Sequence, residues 1–131
     1  MTSTSSLFLR RVLLLDAIVS GATGLGLVLL AGPLAGLLDL PVDLLRWAGL
    51  ALLPFAAVVA WLGRRPVPPA GAVRTVLVIN LLWAVDSFLI IGLGWVDPNG
   101  LGVAFIAMQA VAVALLGGLQ YLGLRRGLTP A

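Results

Sequence analysis

The chain contains no cysteine and no histidine. Within these residues, that excludes disulfides, thiolate nucleophiles, Cys/His zinc sites and haem held by either residue. Charge is also scarce: 10% of the 131 residues, where a water-soluble domain carries roughly a quarter. Lysine and glutamate are missing altogether. The bases are Arg10, Arg11, Arg46, Arg64, Arg65, Arg74, Arg125 and Arg126, and the acids are Asp16, Asp39, Asp43, Asp86 and Asp97. The arginines flank apolar runs and form no patch, so nucleic acid is not an expected partner. The chain has no P-loop, no GxSxG, no HExxH and no carboxylate cluster dense enough for a metal. No cofactor or metal is expected, and the leading expectation is a non-enzymatic protein.

What remains is apolar: 61% hydrophobic residues, with a mean hydropathy of +1.16. Such a chain has too little polar surface to cover a globule in water. Four long apolar runs are visible, at about 12–31, 44–62, 73–95 and 101–124. About 20 helical residues cross a ~30 Å hydrocarbon layer, and backbone in lipid must bond internally. The expected fold is therefore all-α, an integral membrane four-helix bundle with the lipid bilayer as its surroundings. Residues 1–9 and 127–131 read as tails, with "MTSTSS" and "GLTPA" expected to be disordered.

The breaks carry turn chemistry. "AGPLAGLLDLPVD" at 31–43 and "GRRPVPPAG" at 63–71 are rich in proline and glycine. In "VDPNG" at 96–100, Pro98 fixes one φ, and Asn99 and Gly100 tolerate positive φ. Pro54 lies inside the second run and predicts a kink there. Asp43 is placed to cap the second helix, with Arg46 nearby. Seven of the eight arginines fall on one side of the implied topology, which predicts both termini in the cytoplasm and a multi-pass protein of the inner (plasma) membrane. A cleaved leader over 1–36 is the weaker expectation, because the first apolar run is too long for a signal peptide and contains Asp16.

The two halves also read as candidate parallel two-helix repeats. A shift of 64 residues places Asp16 on Asn80 and Thr23 on Ser87; a shift of 61 places Arg64-Arg65 on Arg125-Arg126.

The few polar side chains inside the runs are the candidate site. Asp86 lies near the middle of the third run, and no arginine lies at that depth. A charge there costs ~2.5–3.5 kcal/mol on insertion scales. The expectation is a protonated Asp86 that donates to Gln109, which lies at a similar depth on the fourth run. At 100° per residue, Asn80, Trp83, Asp86 and Ser87 fall within one sector of about 120°. The indole of Trp83 would find its acceptor in Asp86, Asn80 or a carbonyl. A second polar layer comprises Asp16, Ser20, Thr23 and Gln120; by depth, Asp86, Ser87, Gln109 and Thr23 are central, whereas Asp16, Asn80 and Gln120 lie near the cytoplasmic boundary, where Asp16 can meet water or a terminal arginine. In one reading these residues are interhelical hydrogen bonds that fix packing. In the other, Asp86, Gln109, Trp83, Asn80 and Ser87 couple protons or hold a ligand. Small-xxx-small spacings recur at Ala17/Gly21, Ser20/Gly24, Ala22/Gly26 and Ala110/Ala114/Gly118, as close helix packing requires. Trp47, Trp61, Trp95 and Tyr121 lie near span ends, as interfacial belts do.

The stretches "LLLDAIVSGATGLGLVLLAGPLAGLLDLP", "GLALLPFAAVVAWLGRR", "INLLWAVDSFLIIGLG" and "LLGGLQYLGLRR" resemble a group of small four-span bacterial inner-membrane proteins. The resemblance covers residues 10–126 and implies a topology without a chemistry. Two functions follow as expectations. The first is an accessory or scaffold protein that joins a membrane complex or forms a homo-oligomer. The second is a small proton-coupled transporter or lipophile-binding protein. A membrane enzyme acting on a lipid is a distant third.

Overall fold

The computed structural model describes residues 2–127, with side chains placed from 7 to 126. Those residues form five helices and no strand: α1 (Thr2–Leu29), α2 (Ala31–Leu38), α3 (Val42–Arg64), α4 (Ala70–Gly92) and α5 (Gly100–Gly127). All but α2 are long and apolar enough to cross a bilayer, which suggests a multi-pass membrane protein. The outer surface agrees with that. Ile18, Leu29, Met108 and Leu115 are each more than 60% exposed, and the exposed apolar side chains are spread over all four long helices. In water such a surface would drive association; in lipid it costs nothing.

Several helix ends differ from those the sequence predicts. Residues 2–6, expected as tail, belong to α1, and 128–131 lie outside the described residues. The break at 31–43 holds a helix of its own. α1 gives way to α2 at Leu30, whose φ of −113° and ψ of 20° are not helical. Pro33 does not prevent α2, because it stands in the first turn, where a backbone N–H has no partner within the helix. α2 ends at Asp39, which takes a left-handed conformation (φ 57°) while Leu40 N–H bonds back to the Ala35 carbonyl at 3.1 Å. Aspartate is among the few side chains that tolerate this region.

The turn after α4 uses a different residue from the one expected. α4 stops at Gly92 rather than continuing to 95, and Gly94 (φ 75°) supplies the positive φ, not Asn99 or Gly100. Trp95 N–H bonds to Ile90 O at 3.0 Å and Gly94 N–H to Ile91 O at 3.1 Å, the pair of a Schellman stop. α3 starts after Pro41 without a side-chain cap. Asp43, expected as that cap, instead sits in the first turn, 3.6 Å from Arg46 on the surface. The helix continues through Pro54.

Packing is uneven around the molecule. α1 lies along α3 on one side and along α5 on the other, and α4 lies along α5. Consecutive α3 and α4 scarcely touch. Where they do meet, near their connection at 65–69, Val59 and Leu62 of α3 pack with Val73 and Val76 of α4 and with Leu9, Leu13 and Ala17 of α1. Beyond that apolar knot the two helices part. A second core joins Leu27, Ala31, Leu38, Leu40, Leu45, Leu52 and Ile106, so α2 and its C-terminal turn close the far end.

Two close approaches set these positions. At the α1–α3 crossing, a Cβ on Gly49 would lie 2.7 Å from the Gly24 carbonyl oxygen. At the start of α5, a Cβ on Gly102 would collide with the Leu38 carbonyl and lie 2.6 Å from Pro98 Cβ. Asn99 ties the same corner. Its Oδ1 accepts from Gly102 N–H (2.8 Å), its Nδ2 donates to Leu37 O (2.9 Å) and its backbone N–H donates to Leu38 O (3.2 Å). Of the small-xxx-small glycines, Gly21 and Gly24 face α3, whereas a Cβ on Gly26 or Gly118 would meet nothing within 4 Å.

Candidate functional site

The intramembrane polar residues fall into two groups, and their roles differ from those the sequence predicts. Asp16 meets neither water nor a terminal arginine: it is fully buried, and among the described residues all its hydrogen bonds come from neutral side chains. Its Oδ1 accepts from Ser20 Oγ (3.0 Å), and its Oδ2 accepts from Asn80 Nδ2 (2.8 Å) and Gln120 Nε2 (2.6 Å). Asn80 Nδ2 also donates to Gln120 Oε1 at 3.0 Å. Three helices, α1, α4 and α5, thus meet at one carboxylate. Asn80 shares its helix sector with Asp86 but lies in the layer of Asp16 and Gln120, and it belongs to this knot together with Ser20 and Gln120. Three terminal arginines, Arg10, Arg125 and Arg126, have partners of their own, as does Arg65. Arg10 Nε donates to Gly63 O at 3.2 Å, and Arg65, Arg125 and Arg126 lie over the rings of Trp61, Tyr121 and Phe8 at 4.9–5.8 Å.

The second group lies where α3 and α4 part. Trp83 Nε1 donates to Gln109 Oε1 at 2.9 Å. Gln109 Nε2 donates to Ser87 Oγ and to Ile106 O, both at 2.9 Å. Ser87 Oγ in turn donates to Trp83 O at 2.7 Å. The indole acceptor is therefore Gln109, not Asp86 or Asn80. The expected Asp86–Gln109 bond is not formed. Asp86 is exposed and, among the described residues, makes no hydrogen bond or ion pair. Helical geometry explains this. Going round α4 from Asn80, Ser87 is displaced by about 20°, Trp83 by about 60° and Asp86 by about 120°. Exposure rises along that arc, from 3% at Asn80 and 9% at Ser87 to an exposed Asp86. One edge of the polar sector thus reaches the buried knot at Asn80, and the other falls at an opening.

That opening is a cavity of about 250 Å³. Its walls are Thr23 and Leu27 of α1; Leu44, Leu45, Ala48 and Leu52 of α3; Trp83, Asp86, Ser87 and Ile90 of α4; and Phe105, Ile106 and Gln109 of α5, with Leu40 at its end. A smaller cavity of about 120 Å³ continues along the same seam, sharing Leu52 and Trp83 and reaching Ser20 and Asn80. The groove brings together four of the predicted residues, Trp83, Asp86, Ser87 and Gln109, and adds Thr23 from the second layer. The α3 wall was not anticipated. It is made of leucines and an alanine, which give no signal apart from the small size of Ala48.

Chemically, the site is an apolar trough with one carboxylate at its lip and a closed chain of neutral hydrogen bonds behind it. Among the described residues no group of three or more acidic, histidine or cysteine side chains converges to bind a metal. A comparison of this chain with protein-family models, with curated proteins and with solved structures gave no match in any of the three.

Proposed function

We propose that this is a small multi-pass protein of the bacterial inner membrane, built as a four-helix bundle with both termini cytoplasmic, that holds a lipophilic molecule in the groove between α3 and α4. The observation carrying this reading is the α3–α4 gap, an apolar cavity of about 250 Å³ lined by Asp86. Pockets that take small molecules are largely apolar with a few convergent polar groups, and those in bundles lie between helices. An unpaired carboxylate at membrane depth is expensive, and structure alone gives no reason for it here. The buried knot around Asp16 already ties the helices together. The gap is also lateral, so a molecule dissolved in the bilayer reaches it without crossing water.

The inside position of the termini rests on the arginines. Arg10, Arg11, Arg64, Arg65, Arg74, Arg125 and Arg126 all lie within the outer turns of helices or in connections that this topology assigns to the cytoplasmic side. A two-helix duplication accounts for the pairing of Asp16 with Asn80. These are equivalent positions under the shift of 64, and they bond at 2.8 Å. Thr23 and Ser87, equivalent under the same shift, line one groove. A complete two-fold relation would match the α1–α5 contact with an α3–α4 contact, and the groove stands where that contact is missing.

The test is native mass spectrometry of the protein extracted from its own membrane. A retained small lipophile is expected on the wild type and not on Ala48→Trp, which fills the groove. Equal adducts on both proteins, or none on either, would overturn the reading. A second reading, an accessory or self-associating protein, is favoured by the same open seam, in which a neighbouring helix would lie. It predicts a defined oligomer or complex in detergent that Ala48→Trp dissociates.

A further inference from the structure

Building on the groove-binding reading, we infer that the molecule held between α3 and α4 is a lipophilic cation, an amine with an alkyl or aryl body, whose ammonium rests against Asp86. Hydrogen-bonding capacity around the groove is one-sided. The Trp83 N–H is used by Gln109 Oε1, both Gln109 amide hydrogens by Ser87 Oγ and Ile106 O, and the Ser87 hydroxyl hydrogen by Trp83 O. Every donor of that chain is thus engaged within the protein. What the lining offers a ligand is the carboxylate of Asp86, which can accept at both oxygens, and the single hydroxyl of Thr23. No arginine lines either cavity.

The consequence is selectivity by charge. A carboxylate, sulfate or phosphate head group would bring a second anion to Asp86 with no cation to offset either. A neutral alcohol can donate one hydrogen bond but leaves the carboxylate without a counter-charge in a medium where that is costly. An ammonium supplies both the donors and the charge, and charge-assisted hydrogen bonds are about twice as strong as neutral ones. The rest of the wall suits the rest of such a molecule. Leu27, Leu44, Leu45, Ile90 and Phe105 surround an apolar body, and the smaller cavity continues past Leu52 for a longer tail.

The experiment uses the full chain in nanodiscs of zwitterionic lipid. Equilibrium dialysis measures radiolabelled decylammonium, decanol and decyl sulfate against empty nanodiscs. Saturable decylammonium binding is expected, weakened at least about tenfold by Asp86→Asn and recovered in Asp86→Glu. Decyl sulfate should not bind saturably. Decanol should bind weakly, and its saturable binding to Asp86→Asn shows that the variant keeps its groove. Two results would overturn the cation inference and leave the groove reading standing. One is decylammonium binding no tighter to wild type than to Asp86→Asn while decanol still binds saturably; the other is decyl sulfate binding as tightly as decylammonium. If no probe binds saturably and Ala48→Trp behaves like wild type throughout, the groove reading fails with it.

Discussion

The knot around Asp16 makes a sharp distinction between losing a charge and losing an acceptor. In Asp16→Asn, the side-chain oxygen can stay where Oδ2 now accepts from Asn80 Nδ2 (2.8 Å) and Gln120 Nε2 (2.6 Å). The new amide nitrogen then faces Ser20 Oγ, which turns from donor to acceptor across the same 3.0 Å. Asn80 and Gln120 keep their acceptor, Ser20 Oγ keeps a partner, and no charge remains buried. Stability should change by less than about 1 kcal/mol. In Asp16→Leu the shape is similar but the acceptor is gone. The Gln120 amide loses its partner, Ser20 loses its partner, and Asn80 keeps only Gln120 Oε1 at 3.0 Å. Interhelical hydrogen bonds measured in bilayers average about 0.6 kcal/mol, whereas an orphaned buried donor costs about 1–3 kcal/mol. Three lost bonds, with two donors left bare, therefore give about 2–4 kcal/mol. The assay is unfolding by sodium dodecyl sulfate in mixed micelles, followed by far-ultraviolet circular dichroism. Asp16→Asn proving as unstable as Asp16→Leu would refute the reasoning, because the negative charge itself would then be required.

Two further substitutions probe the close approaches. Gly49→Ala places a Cβ 2.7 Å from the Gly24 carbonyl and should cost about 1–3 kcal/mol in the same assay. Gly26→Ala, with nothing within 4 Å, should be neutral or stabilise α1 by up to about 1 kcal/mol, and equal behaviour of the two would contradict the described α1–α3 crossing. Asn99→Ala removes the cap of α5 and its bond to Leu37, so about 1 kcal/mol should be lost. Hydrogen exchange should rise at Gly102 and in α2 but not at Asn80, and exchange rising evenly over the chain would show that Asn99 does not act locally.

The parts of this fold that could be read from the sequence are those set by solvent. Runs of about 20 apolar residues imply helices in lipid whatever their neighbours, and α1, α3, α4 and α5 follow from them. Short-range signals were present but were assigned to the wrong residue. Gly94 carries the turn after α4, and a count of hydropathy ran past it because Leu93 and Trp95 are apolar too. α2 was hidden because Pro33 was taken as a helix breaker, although it occupies a first turn that accepts it. The exchange of roles between Asp16 and Asp86 has a different cause. Both are carboxylates inside apolar helices, and position along a span says how deep a residue lies but not which way it points. Which of the two is enclosed depends on where helices fail to meet, here α3 and α4. The sector angle found the right neighbours on α4 but could not place the opening at one edge of the sector. The α3 wall of the groove was invisible because leucine and alanine look alike whether they line a cavity, a core or a lipid face.

The scarcity of contact between α3 and α4 also bears on how the molecule is made. As the chain leaves the ribosome, α1 and α3 can join as a hairpin at once. The third crossing then arrives with almost no helix to lie against, since its long seam is with α5, the last to be synthesised. Asn80 must wait for Gln120, forty residues downstream, before its amide is fully enclosed. Assembly in the bilayer therefore finishes with α5, and a nascent chain stopped before residue 100 would hold its first hairpin while its third helix was tied to it mainly through Val73, Val76 and the bond from Asn80 to Asp16.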